Sequence, residues 1–195
     1  KASNAAAYRG MPSVLDLNVT NCCNLGCSFC YNRSNQGQRS DELTTDALFR
    51  LVDEAAEHGA GFFLGGGEPF VRADIFDLIS RIKERGLPVG VVTNATLLEG
   101  HDVDRLLRDG LDVAVVSLHG TEEVHDRLVG ASGSWRKAME ILRLLARGMG
   151  PPGPMINYVI SEESVHDLAP FLESVQDIDN AVVRLAHRSF LTTIE

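Results

Sequence analysis

The chain has 195 residues, 18 Lys and Arg against 27 Asp and Glu, and a formal net charge of −9. Hydrophobic residues at 44% and charged residues at 23% are globular values, which argue against disorder, and the length suffices to bury a substantial core. No apolar run approaches the ~18–20 residues of a membrane-spanning helix, and the acidic balance argues against broad nucleic-acid binding, which needs clustered Lys and Arg.

Taken in chain order, the first residues, with Ser3-Asn4-Ala5, read as a cloning scar, so positions 1–10 are expected to lie outside the fold. Val14 to Thr20 alternates apolar and polar residues as a strand does. A loop carrying all four cysteines follows. Thr44 or Thr45 can cap a helix running to about His58, with Gly59 as its stop. Gly61 to Leu64 is a second strand, ending in Gly65-Gly66-Gly67-Glu68-Pro69. A helix is expected from about Ala73 to Arg85, a third strand from Pro88 to Thr93, and a short helix from His101 to Arg108. Leu111 to Leu118 is the fourth strand, followed by a long loop. Ser134 to Arg147 is an amphipathic helix, with Trp135, Met139, Leu142 and Leu145 at helical spacing. A Gly/Pro linker leads to a fifth strand from Met155 to Ile160, a helix from Val165 to Val175, and a sixth strand from Ala181 to Ala186.

This alternation implies parallel strands with right-handed crossovers. The sequence stops soon after the sixth strand, so the last helix is expected to be missing or truncated. Both an open doubly wound sheet and a (βα) barrel place ligands beyond the C-terminal strand ends. A Rossmann site would put its Gly-rich turn after strand one, where this chain has cysteines. Chemistry-bearing residues at four successive strand ends favour a barrel mouth. The expected fold class is α/β, a partial (βα)6 TIM-type barrel with outer helices spanning residues 11–195.

The cysteines crowd positions 22 to 30, unlike a disulfide framework, and read as a reduced thiol cluster. Cys23, Cys27 and Cys30 are spaced C-x3-C-x2-C. Thiolates are soft ligands for zinc or iron–sulfur groups. Structural zinc takes four closed ligands, and adjacent Cys22 and Cys23 rarely point at one metal. Three ligands on a cubane cluster leave one iron open. A zinc knuckle and a set of buried thiols remain alternative readings of these residues.

The cysteine spacing, with Phe29 before and Tyr31 after the last cysteine, resembles the radical S-adenosylmethionine (SAM) enzymes, in particular the peptide-maturase (SPASM-type) and molybdenum-cofactor-synthesis-like branch. The later strand ends strengthen the resemblance: Gly66-Gly67-Glu68-Pro69 looks like its GGEP motif, and Ser117-Leu118-His119-Gly120 like its post-strand-four motif. The resemblance implies that Cys23, Cys27 and Cys30 hold a [4Fe–4S] cluster, with Cys22 not a ligand. SAM chelates the open iron, and an electron from the cluster cleaves it to a 5′-deoxyadenosyl radical that abstracts hydrogen from substrate. It implies SAM-binding roles for Phe29, Gly66, Gly67, Glu68, Pro69, Asn94, Ser117 and Arg127, and makes His119 a substrate-side candidate. Asn94 stands in Thr93-Asn94-Ala95, where the family often has glycine at the third position.

A peptide or a small-molecule biosynthetic intermediate is the substrate class implied, with a ferredoxin- or flavodoxin-type electron donor. No DNA or membrane partner is expected, and the acidic surface points to the cytosol. The contrasting expectation is a zinc- or iron–sulfur-binding module without chemistry, or an electron carrier. Carriers close their clusters with four protein ligands, one more than this spacing supplies.

Overall fold

The computed structural model describes residues 13–32, 37 and 42–187. The expected tag at positions 1–10, and the region where the final helix is expected to be cut short, lie outside these residues. Six strands alternate with helices: β1 (Val14–Thr20), α1 (Thr45–His58), β2 (Gly61–Gly66), α2 (Ile75–Glu84), β3 (Val89–Thr93), α3 (Gly100–Asp109), β4 (Val113–Ser117), α4 (Glu122–Val129), α5 (Ser134–Gly148), β5 (Met155–Ile160), α6 (Leu168–Ser174) and β6 (Val182–His187). All neighbouring strands pair in parallel, in the order β1-β2-β3-β4-β5-β6. Among the described residues β1 and β6 do not pair with each other, so the barrel is open.

Local signals explain most boundaries. Thr44 Oγ1 accepts from the Ala47 N–H at 3.3 Å, and Gly59 ends α1 at φ 68°, a conformation glycine adopts without steric cost. The strands follow the period of two. Phe62, Leu64, Val89, Val91, Ala114, Val116, Ile156 and Tyr158 are buried in the main core beneath the helices. The intervening positions, including Asp16, Asn18, Phe63, Val92, Val115, Ser117, Asn157 and Arg184, line the concave inner face. Outside the sheet α1 packs on α2, α2 on α3, α3 on α5 and α4 on α5.

Three expectations need correction. The segment after β4 is not simply a long loop: it contains α4. Four of its eight residues are charged, and its inward stripe includes a histidine, which weakens the amphipathic signal. The helix expected from Ala73 begins at Ile75, after a 3-10 turn over Pro69–Val71. Arg72 holds this entry in place: it reaches the carbonyls of Val19 and Leu43 at 3.0 and 3.2 Å and pairs with Asp74 at 2.7 Å. The helix expected from Val165 starts as a 3-10 turn, Val165–Asp167, and becomes α-helical only at Leu168.

Candidate functional site

The C-terminal strand ends and the cysteine loop enclose a cavity of about 380 Å3. Cys23, Cys27 and Cys30 line it together with Phe29, Gly66, Gly67, Glu68, Asn94, Ser117 and His119. Strands β1 to β6 each contribute inward residues, so the site is assembled from side chains far apart in sequence. A second, open cleft of about 810 Å3 lies between the α4 surface and the α4–α5 turn, and no cysteine lines it. The thiols and the buried Glu68 carboxyl belong to the smaller cavity.

The cysteine loop is docked at its start and at its centre. At its start, Glu42 accepts from Thr20 Oγ1 at 2.6 Å and from the Asn21 N–H at 3.1 Å. At its centre, the N–H groups of Gly26 and Ser28 donate to the carbonyls of Val129 and Leu128 at 3.2 and 2.9 Å. These two bonds bracket Cys27 over the last turn of α4. Phe29 is buried against Leu128 and Val159, with Cys27 and Val124 packed beside them.

None of the four cysteines is in a disulfide. Burial pushes the Cys27 thiol up to about 12, and the neighbouring Cys23 and Cys30 add to the rise. Burial also raises Cys23, against a hydrogen bond from the Leu25 N–H, while Glu68 and Cys30 push it further up. The raised Cys23 and Cys27 thiols are therefore held protonated, and a group that brings positive charge would favour their thiolates. Among the described residues no three His, Cys, Asp or Glu side chains close on a single metal ion. Three separate soft donors on one cavity wall fit a multi-iron sulfur group, in which three different irons would each take one thiolate. Cys22 is buried; its N–H donates to Thr20 Oγ1 at 3.0 Å and its carbonyl accepts from the Glu68 N–H at 2.8 Å.

That last bond joins the cysteine loop to the glycine-rich bend. The Gly67 N–H also donates to the Thr20 carbonyl at 2.7 Å. A Cβ on Gly66 would collide with the Thr20 carbonyl oxygen, and one on Gly67 with the Cys22 carbonyl oxygen. Both glycines are therefore required by the close approach of the cysteine loop, independently of any ligand.

Glu68 is 1% exposed. Its Oε1 accepts from Thr93 Oγ1 at 2.7 Å and the Phe70 N–H at 3.2 Å, and its Oε2 from the Asn94 N–H at 2.7 Å. Burial nevertheless dominates these three donors and pushes the carboxyl up to about 7. Asn94 bridges outward: its Nδ2 donates to Asn24 Oδ1 at 2.9 Å and lies 3.8 Å from Cys23 Sγ.

Two histidines back the wall behind Phe29. The His119 ring meets Phe29 edge-on at 4.6 Å and stacks on His125 at 5.8 Å. Val159 N–H donates to His119 Nδ1 and His119 N–H donates to His125 Nδ1, both at 3.1 Å. Burial pushes His119 down to about 3, helped by His125, and His125 down to about 4. Both rings are neutral near pH 7.

Of the residues singled out from the sequence, Pro69 opens the 3-10 turn behind Glu68 and does not line the cavity. Arg127 is not brought in either. It lies on the outer cleft, its side chain 57% exposed, 3.8 Å from Glu123. Sequence reasoning missed Asp16, Asn18, Tyr31 and His125, all on the cavity wall. Asp16 and Asn18 had a signal, as polar positions alternating with Leu15, Leu17 and Val19. His125 had none.

Known proteins share this arrangement of elements. The family description "Radical SAM superfamily" matches residues 17–175. The chain is 32% identical over 167 residues to the PqqA peptide cyclase of Granulibacter bethesdensis, covering 85% of this chain and 44% of that protein. It is 29% identical over 174 residues to the AdoMet-dependent heme synthase of Methanosarcina barkeri, covering 88% and 49%. The crystal structure of Streptococcus suis SuiB bound to S-adenosylmethionine superposes with a TM-score of 0.73 at 20% identity, covering 95% of this chain and 43% of that one. The chain thus spans a little under half the length of these relatives.

Proposed function

The chain belongs to the radical SAM superfamily, and from that membership we propose that it carries the SAM-cleaving core of an enzyme that modifies a peptide. The observation that carries the reading is the convergence of Cys23, Cys27, Cys30 and the buried Glu68 on one cavity. The three cysteines would hold a [4Fe–4S] cluster. When bound, the cluster supplies the electron that splits SAM into methionine and a 5′-deoxyadenosyl radical, the species that takes a hydrogen atom from substrate.

The chain's own residues have separable tasks. Ionised Glu68, fixed by Thr93, Asn94 and Phe70, pairs with the ammonium of the methionine moiety. Asn94 and Ser117 offer further polar contacts from the ends of β3 and β4. Phe29, clamped between α4 and His119, gives the cavity a rigid apolar wall and excludes water. Asp16, Asn157 and Arg184 face the substrate side of the open barrel. Similarity to a peptide cyclase supports the peptide substrate. The electron donor is a ferredoxin- or flavodoxin-type protein, and the compartment is the cytosol. Among the described residues no helix is long and apolar enough to cross a membrane.

The test is electron paramagnetic resonance of the anaerobically reconstituted, dithionite-reduced protein, with and without SAM. A cluster signal that shifts on adding SAM is expected. A signal indifferent to SAM would mean a closed electron-transfer cluster. A colourless protein that retains zinc would replace this reading with a binding module.

A further inference from the structure

We propose that His125 donates a hydrogen bond from Nε2 to a sulfur of the iron–sulfur group and so raises its reduction potential. The inference rests on the radical SAM reading above. His125 is 1% exposed and lines the cavity. Its Nδ1 accepts the His119 N–H at 3.1 Å, so the neutral ring carries its proton on Nε2. Among the described residues that Nε2 is buried with no hydrogen-bond partner. An orphaned buried donor costs stability unless something in the site accepts from it.

The ring cannot easily turn to find another acceptor. His119 stacks on it, and His119 is itself fixed by the Val159 N–H and by the edge of Phe29. The residues flanking His125 on α4 identify what it faces. Val124 and Leu128 pack with Cys27 and Phe29. The carbonyls of Leu128 and Val129 hold the backbone on either side of Cys27. His125 thus stands on the helix face that carries Cys27, and whatever Cys27 ligates brings anionic sulfur to this wall. Reduction adds negative charge to that sulfur, so an N–H donor stabilises the reduced form more than the oxidised one.

The test is a one-electron redox titration of the reconstituted protein, followed by its paramagnetic signal. In H125N the side-chain carbonyl can still accept from His119, but no donor reaches the Nε2 position. We expect about a tenfold shift of the reduction equilibrium toward the oxidised form, equivalent to ~59 mV for one electron. In H125Q the amide N–H2 reaches the Nε2 position, and most of the shift should be restored. Independently of any variant, wild-type protein with 15N-labelled histidine should show nitrogen coupling in the electron spin echo of the reduced cluster.

A loaded H125N protein with unchanged potential overturns the inference. Lost SAM affinity at unchanged potential assigns the donor to SAM and overturns it as well. Should H125N fail to load, the labelled wild type decides alone. A SAM-responsive cluster without histidine coupling sinks this inference only, whereas no cluster in the wild type sinks the radical SAM reading with it.

Discussion

Glu68 Oε2 accepts a 2.7 Å hydrogen bond from the backbone of Asn94, and the Asn94 side chain reaches Cys23 Sγ at 3.8 Å. One residue at the end of β3 therefore links the buried Glu68 carboxyl to the Cys23 thiol. The coupling runs through partly buried polar links, where screening by water is reduced.

Glu68 should act on both stability and ligand binding. E68A removes the acceptor of three donors and is expected to cost roughly 1–3 kcal/mol, read by chemical denaturation. E68Q should weaken SAM binding by at least about tenfold, a charge-assisted bond being lost; unchanged affinity in anaerobic calorimetry would remove that role.

The same carboxyl makes the ligand-free protein pH-dependent. Its ordinary value of 4.5 rises to about 7 because of burial. The folded chain then holds this proton more tightly than the unfolded chain, so stability is fully present below about pH 4.5 and declines as pH rises to about 7. E68Q should flatten that decline, while SAM affinity in the wild type should increase over the same window as the carboxylate ionises. A stability profile unaltered by E68Q would contradict the assignment.

Cys27 and Cys22 should separate cleanly. C27A is expected to abolish iron and sulfide incorporation. C22A is expected to retain it, since Cys22 meets the glycine bend through its backbone. Iron and sulfide content per chain, measured after anaerobic reconstitution, is the readout.

Gly67 should be intolerant for a reason unrelated to SAM. The Cβ of G67A meets the Cys22 carbonyl, so about 1–3 kcal/mol of destabilisation is expected even without ligand. G26A is the control. No atom lies within 4 Å of its added Cβ, and stability should stay within about 0.5 kcal/mol.

Arg127 tests the placement of α4. Its exposed contact with Glu123 at 3.8 Å is worth little. R127A should leave SAM affinity within about twofold of wild type. A tenfold loss would mean that the guanidinium reaches the cavity in the bound state.

What was legible in the sequence is what depends on near neighbours. Strand alternation set which side chains face inward, because the period of two is a property of the extended backbone. Thr44 and Gly59 marked the ends of α1 because caps act within one turn. The spacing of Cys23, Cys27 and Cys30 places three thiols on one loop whatever the surrounding fold. The resemblance to a family rested on these short segments in order.

What only the tertiary structure decided depends on residues far apart. At about 100° per residue, Arg127 lies on the face of α4 opposite His125. Which face turns inward was settled by the docking of the cysteine loop on Leu128 and Val129, about a hundred residues downstream. The glycines of the bend look like ligand space from sequence, but it is the carbonyls of Thr20 and Cys22 that require them. Glu68 finds its donors at Thr93 and Asn94, on the next strand. Burial, and with it the raised carboxyl of Glu68 and the orphaned donor of His125, is a property of packed neighbours, and no local pattern in the chain encodes it.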